Sequence, residues 1–240
     1  MANAQKLFSD LVKKRRMTKK DAELKFNLIS PTTDYSGFNK VDVSIEAVIE
    51  IMDVKKKVIK ECEAVMKPGA LIATNTSSLS VTEMASVAAH PENVVGMHFF
   101  NPVHKMPLVE VIRGDKTSDR AVAMIFDLSK KMGKTPIVCK DGPGFLVNRL
   151  LMPYLNEGSY IMSEGAPIEE LDNAVLDFGM PMGPATLLDE IGIDVAAKVG
   201  KILHTAFGER AEPCKLNDKL VQAKLLGKKG GKGFYTYDAR

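Results

Sequence analysis

Short apolar runs alternate with longer amphipathic stretches through the first part of the chain. ALIAT (70–74), NVVGMHFF (93–100), LVEVIR (108–113) and TPIVCK (135–140) are rich in β-branched residues and bounded by turn signals, as buried strands are. VDVSIEAVIE (41–50) is a further β-branched run ending in acids, and NLISPTTDYSGF (27–38) has the look of a short strand and a turn. Between them, positions 4–25 and DVKKKVIKECEAVMK (53–67) have helical spacing, the second with apolar residues at 54, 58 and 65. SVTEMASVA (80–88) adds a helix with Ser80 as N-cap and Glu83 three residues on, a capping-box pattern. A long helix fills about 118–132. Strands alternating with helices predict an α/β sheet of parallel strands.

The texture changes after DGPGF (141–145). Positions 148–164, 167–178, 184–207 and 217–226 all have helical patterning, with no strand signal until GFYTY (233–237). The expected division is an α/β domain over 1–142 and an all-α domain over 143–240, meeting at Gly142-Pro143-Gly144.

Composition narrows the function. The chain has 240 residues, 45% hydrophobic and 26% charged, with a net charge of +3, as a globular protein with a full core would. Its densest basic run, Lys13–Arg16, lies in a helix followed by Asp21 and Glu23. That is a solvated helix face, able at most to meet a phosphorylated ligand, and not the concentrated basic patch of a nucleic-acid binder. Cys62, Cys139 and Cys214 are three and widely spaced, which argues against a disulfide framework and a zinc site and fits a reducing compartment. No apolar run reaches the roughly 18 residues of a membrane span, and the first residues lack the apolar core of a signal peptide. The expected setting is intracellular: bacterial cytoplasm, mitochondrion or peroxisome.

Candidate chemistry lies in GMHFFNPVHKMPLVEV (96–111), where His98 stands at the end of one strand and Glu110 in the next. Either the two form an acid–base pair, or each is a structural polar residue at a strand end. Ser77 in NTSSL (75–79) has a turn or cap as its alternative role, and Asn148 in DGPGFLVNRLL (141–151) a helix start. His90, His104 and His204 have the look of surface or helix residues. GKKGGKGF (227–234) follows a helix and lacks the P-loop pattern, so a surface turn is expected there.

Taken together, NTSSL, HFFNP (98–102), LVEVI (108–112) and DGPGFLVNRLL, with EAVIE (46–50), FGMPMGPATLLDEIGID (178–194) and LLGKKGGKGFYTY (225–237), resemble the 3-hydroxyacyl-CoA dehydrogenase family. The resemblance is greatest to the dehydrogenase part of multifunctional β-oxidation enzymes and covers about residues 20–238. It implies NAD-dependent oxidation of an L-3-hydroxyacyl-CoA to the 3-ketoacyl-CoA, with His98 as general base, Glu110 behind it, and Ser77 and Asn148 as donors to the C3 oxygen. It also implies that Val48, Glu50, Lys55, Ser77, Asn101 and Lys229 edge the NAD site, and that the chain works as a homodimer or within a larger multifunctional complex.

The fold it implies is a Rossmann-like sheet followed by an all-α C-terminal domain. A dinucleotide-binding domain opens with a strand and a G-x-G-x-x-G loop, and these residues contain no such loop. The family's first strand, glycine loop and ribose-binding acid are expected to precede Met1, a βα piece on the order of 30 residues. Without that loop, weak NAD binding is expected of the chain by itself, and a non-catalytic acyl-CoA-binding or dimerisation module is the competing reading. A hydrolase triad of Ser77, His98 and Glu110 fits less well, since Ser77 lies in no G-x-S-x-G elbow. A hydroxyisobutyrate-type dehydrogenase would use a lysine base.

Overall fold

The computed structural model describes residues 1–238; Ala239 and Arg240, the last two positions of the expected helical domain, lie outside the described residues. Five strands form one sheet in sequential order: β1 (Val43–Glu46), β2 (Leu71–Thr74), β3 (Val94–Phe99), β4 (Leu108–Arg113) and β5 (Thr135–Lys140). All neighbours are parallel except β3 and β4, which corrects the expectation of a wholly parallel sheet. The reason is length. Residues 100–107 carry no helix, and a parallel return needs a crossover of a dozen or more residues.

α3 (Met52–Val65) and α4 (Val81–Ala85) cover one face of the sheet, and α5 (Asp119–Lys131) covers the other. Alternation divides the side chains between the two. Leu71, Ala73, Val95, Met97, Val109 and Val111 pack towards α5, whereas Ile72, Val94 and Ile112 pack with Ile59, Met84 and Phe145. His98 and Glu110 share the parity of Val94 and Ile112, so both point to the α3–α4 face.

Gly96 is required where β3 crosses β4. It pairs with Ile112, and a Cβ there would lie 2.6 Å from the Ile112 Cβ. Gly96→Ala is therefore expected to cost about 1–3 kcal/mol by overpacking. Thermal unfolding should show a fall of several degrees, and an unchanged midpoint would contradict this packing.

The helix expected over 4–25 is two helices, α1 (Ala2–Lys13) and α2 (Lys19–Phe26). Arg15 turns left-handed at φ 55, and Thr18 then caps α2 by accepting from the Asp21 N–H at 3.1 Å. No strand forms in 27–38. Pro31 has no ladder donor, and Thr32 Oγ1 and the Ser36 N–H close a turn on Asp34. Ser80 does cap α4, but Glu83 pairs with Lys56 and completes no reciprocal box. On α3 the buried stripe is Lys55, Ile59 and Cys62, not the expected 54, 58 and 65.

The helical region comprises α6 (Val147–Ser163), α7 (Ile168–Phe178), α8 (Pro184–Ile191), α9 (Ile193–Phe207) and α10 (Lys215–Gln222) around Leu155, Leu188, Ile193 and Leu203. The single helix expected over 184–207 is divided at Gly192, whose φ of 98° breaks the helical path. GFYTY forms only isolated bridges, and its turn packs on the fully buried Asp189. The cysteines Cys62, Cys139 and Cys214 are free. Among the described residues no helix is long and apolar enough to cross a membrane, and no metal-ligand cluster occurs.

Candidate active site

The antiparallel turn from β3 to β4 brings His98 directly opposite Glu110. Twelve positions of sequence become one cross-strand pair, and His98 Nδ1 lies 2.7 Å from Glu110 Oε2. His98 is 5% exposed, and its ring lies against Phe100 and Phe145, with ring centroids 4.5 and 5.9 Å away. Its Nε2 has no hydrogen bond among the described residues, yet it is not among the sealed, unpaired polar atoms. One nitrogen is held and the other is left unbonded.

Glu110 is fully buried and has a second task. Its Oε1 accepts from the backbone N–H groups of Leu146 and Val147, at 3.0 and 2.9 Å, where α6 begins. Burial by itself would raise the Glu110 carboxyl. The bonds from His98 and the Val147 N–H outweigh that and hold it below the ordinary glutamate value. The carboxylate thus stays ionised at the head of a helix, where backbone N–H groups and the helix dipole favour negative charge. Asn148 follows one residue later in the same first turn.

The loop after β2 completes the site. Asn148 Nδ2 donates to the Ser77 carbonyl at 3.0 Å, so the start of α6 is tied to NTSSL. Glu50 Oε1 accepts from Thr76 Oγ1 (2.6 Å), the Ser77 N–H (2.9 Å), the Ser78 N–H (3.2 Å) and Ser77 Oγ (3.3 Å). Burial opposes ionisation of Glu50, but the bonds from Thr76 and the Ser77 N–H, together with the Lys55 charge, keep its carboxyl low. The structure therefore brings Glu50, Ser77 and His98, near the ends of β1, β2 and β3, together with Glu110 on β4 and Asn148 in α6.

The other candidate cofactor residues are less uniform. Val48 donates its N–H to Glu46 Oε1 at 2.7 Å, and Asn101 is exposed on the loop after β3. Lys229 pairs with Asp194 Oδ1 at 2.5 Å. No hydrogen bond or ion pair joins it to Glu50 or Ser77 among the described residues. Lys55 is 1% exposed and bonded inside the protein, not at the surface. His90 and His204 pair with the exposed Glu92 and Glu212, and His104 is exposed, as expected of surface residues.

Sequence reasoning missed four residues. Glu46 and Thr74 are buried at the ends of β1 and β2 and hydrogen-bonded to each other at 2.7 Å. Asn75 Oδ1 accepts from the Phe99 N–H and fixes the β3 end beside the loop. Lys198 reaches from α9 to the Glu50 carbonyl at 3.5 Å. A charged residue inside an apolar run was the available signal for Glu46; Lys198 left none.

Comparison with known proteins identifies the family. The family profile described as "3-hydroxyacyl-CoA dehydrogenase, NAD binding domain" matches residues 1–142, and "3-hydroxyacyl-CoA dehydrogenase, C-terminal domain" matches 144–237. A "fatty acid oxidation complex subunit alpha" from Vibrio parahaemolyticus is 48% identical over 98% of this chain and 33% of its own length. The chain thus spans about a third of the curated relatives it matches. Among solved structures, a (S)-3-hydroxybutyryl-CoA dehydrogenase from Ralstonia eutropha superposes with a TM-score of 0.92 at 40% identity, covering 96% of this chain and 83% of that one. A 3-hydroxybutyryl-CoA dehydrogenase from Escherichia coli gives 0.94 at 36% identity, covering all of this chain and 52% of that one. Both profiles together account for nearly every residue: the chain belongs to the 3-hydroxyacyl-CoA dehydrogenase family.

Proposed function

We propose that the chain carries the proton-handling centre of an NAD-dependent dehydrogenase that oxidises L-3-hydroxyacyl-CoA to 3-ketoacyl-CoA in fatty acid β-oxidation. The observation that carries this reading is the 2.7 Å contact of His98 Nδ1 with buried Glu110, which leaves Nε2 without a bond among the described residues. With its proton on Nδ1, facing the carboxylate, the imidazole has an unprotonated Nε2 to receive the proton of a substrate hydroxyl. Glu110 then steadies the imidazolium. Asn148 uses one amide N–H on Ser77 and has a second for the C3 oxygen. The Ser77 hydroxyl, whose hydrogen rests on Glu50 Oε1 at 3.3 Å, becomes a further donor on rotating to that oxygen, and donors placed in this way stabilise charge developing on oxygen.

The nicotinamide end of NAD suits this edge of the sheet. Open parallel sheets bind dinucleotides at the carboxyl ends of their strands, and Glu50, Ser77 and Asn101 follow three such ends. Bound NAD supplies the hydride acceptor. The 240 residues contain no G-x-G-x-x-G to receive pyrophosphate, so the chain by itself binds the free dinucleotide weakly. In this reading residues 1–142 serve the cofactor and 143–240 serve the acyl-CoA and subunit pairing, within a homodimer or a multifunctional assembly. Free cysteines fit a reducing intracellular setting.

Reduction of acetoacetyl-CoA at millimolar NADH, followed by loss of NADH absorbance, tests the proposal. Turnover that disappears in His98→Gln supports it. Binding of acetoacetyl-CoA without turnover would replace it with the acyl-CoA-binding module.

A further inference from the structure

We propose that Lys134 is a positioning residue: from the residue before β5 it staples the loop 100–107, and so holds Phe100 against His98 and Asn101 at the rim of the candidate site. The staple stands on geometry; its effect on turnover rests on the dehydrogenase reading.

The loop has little else to fix it. Residues 101–107 are all exposed, Val103 at 46% and Met106 at 39%, so no side chain of this stretch is anchored in the core. Its backbone makes one tight turn, in which the N–H groups of Lys105 and Met106 both donate to the Pro102 carbonyl, at 2.9 and 3.0 Å. A single turn of this kind leaves its last carbonyls without partners. Lys134 Nζ donates to two of them, the Met106 carbonyl at 2.7 Å and the Val103 carbonyl. Among the described residues no other side chain hydrogen-bonds residues 100–107.

The lysine is itself held at its base. α5 ends in a Schellman motif: Gly133 turns left-handed at φ 74, and its N–H donates to the Lys130 carbonyl at 2.9 Å. The Lys134 N–H donates to the carbonyl of the buried Ser129 at 3.0 Å. One residue later the Thr135 N–H donates to the Pro107 carbonyl at 2.8 Å, and Thr135 pairs with Leu108 in the β4–β5 ladder. The backbone of Lys134 thus belongs to the sheet, and only its stem is free to reach. Both contacts of its ammonium are main-chain oxygens, so the charge serves the shape of the loop.

The staple matters because of what the loop carries. The ring of Phe100 lies 4.5 Å from that of His98, centroid to centroid, and Asn101 follows it. The His98–Glu110 pair, by contrast, belongs to the β3–β4 ladder. Release of the loop should therefore disturb Phe100 and Asn101 and leave the acid–base pair in place.

NMR of the full chain, comparing wild type with Lys134→Met and Lys134→Arg, tests the staple. In Lys134→Met the Lys105 and Met106 amides should exchange with solvent about tenfold faster, the size of one charge-assisted hydrogen bond, while β3 and β4 keep their protection. The ring-proton resonances of His98, which sense the neighbouring ring, should move towards those of a Phe100→Leu variant. Lys134→Arg, whose fork can donate to both carbonyls, should behave as wild type. Unchanged exchange or unchanged His98 resonances in Lys134→Met, or an Arg variant as disturbed as the Met variant, overturns the proposal. So does global unfolding of Lys134→Met, because a staple confined to this loop leaves the core intact. Turnover is read separately. At subsaturating NADH, Lys134→Met should reduce acetoacetyl-CoA about tenfold more slowly than wild type, and an equal rate overturns the positioning role. A wild type without turnover overturns the dehydrogenase reading instead, and the resonances then decide the staple by themselves.

Discussion

Glu110→Gln should reduce turnover by about a thousand- to ten-thousand-fold while the protein remains folded. The substitution preserves shape, and the Gln oxygen can still accept from Leu146 and Val147, which Glu110 holds at 3.0 and 2.9 Å. The amide NH2 then faces His98. A donor opposite Nδ1 forces that nitrogen to accept, and the ring proton moves to Nε2. The atom that should receive the substrate proton now bears one. Loss of the carboxylate also removes the charge that balances the imidazolium. Steady-state rates for NAD-dependent oxidation of L-3-hydroxybutyryl-CoA, taken with a thermal unfolding curve, separate chemistry from stability. Retention of a tenth or more of the activity by a folded variant would show that the tautomer held by Glu110 is not what limits proton transfer.

Much of this architecture was legible before any coordinates. The strands could be read because sheet-forming runs here are short, β-branched and nearly free of charge. The change to all-helical patterning after Gly142-Pro143-Gly144 coincides with the start of α6. What escaped depends on contacts distant in sequence. The direction of β4 follows from the length of residues 100–107, a feature that an apolar pattern does not encode. Likewise, nothing local states that His98 and Glu110 face one another; that follows from an antiparallel register. Lys55 is the more instructive miss. It occupies position i of an i, i+4, i+7 stripe with Ile59 and Cys62, all three buried. Helical spacing alone would have placed a lysine on the inner face and raised the question of its partner.

Asp189→Ala should cause the largest loss of stability among substitutions outside the candidate site. Asp189 is fully buried at the end of α8, and its carboxylate organises the turn that looked like a loose surface glycine cluster. Oδ1 accepts from the Phe234 N–H at 3.0 Å, and Oδ2 accepts from the Tyr235 N–H and the Tyr237 hydroxyl, each at 2.9 Å. Burial, and then this bond to Asp189, push the Tyr237 hydroxyl far above its ordinary value. The glycines serve the same clamp, since a Cβ on Gly233 would lie 1.9 Å from Asp189 Oδ1 and one on Gly227 would lie 2.5 Å from the Asp189 carbonyl oxygen. Alanine would leave two backbone donors and a phenol without their acceptor, at a cost of about 3–5 kcal/mol. For a chain of this size that is a fall of roughly 10 °C or more in Tm. The turn also carries Lys229, whose ion pair with Asp194 sits at the start of α9, and α9 in turn reaches Glu50 through Lys198. Loosening the clamp should therefore weaken the contact between α9 and Glu50 as well as lower Tm. Differential scanning calorimetry with hydrogen exchange at α9 measures both, and a Tm within about 2 °C of wild type would mean that water replaces the carboxylate at small cost.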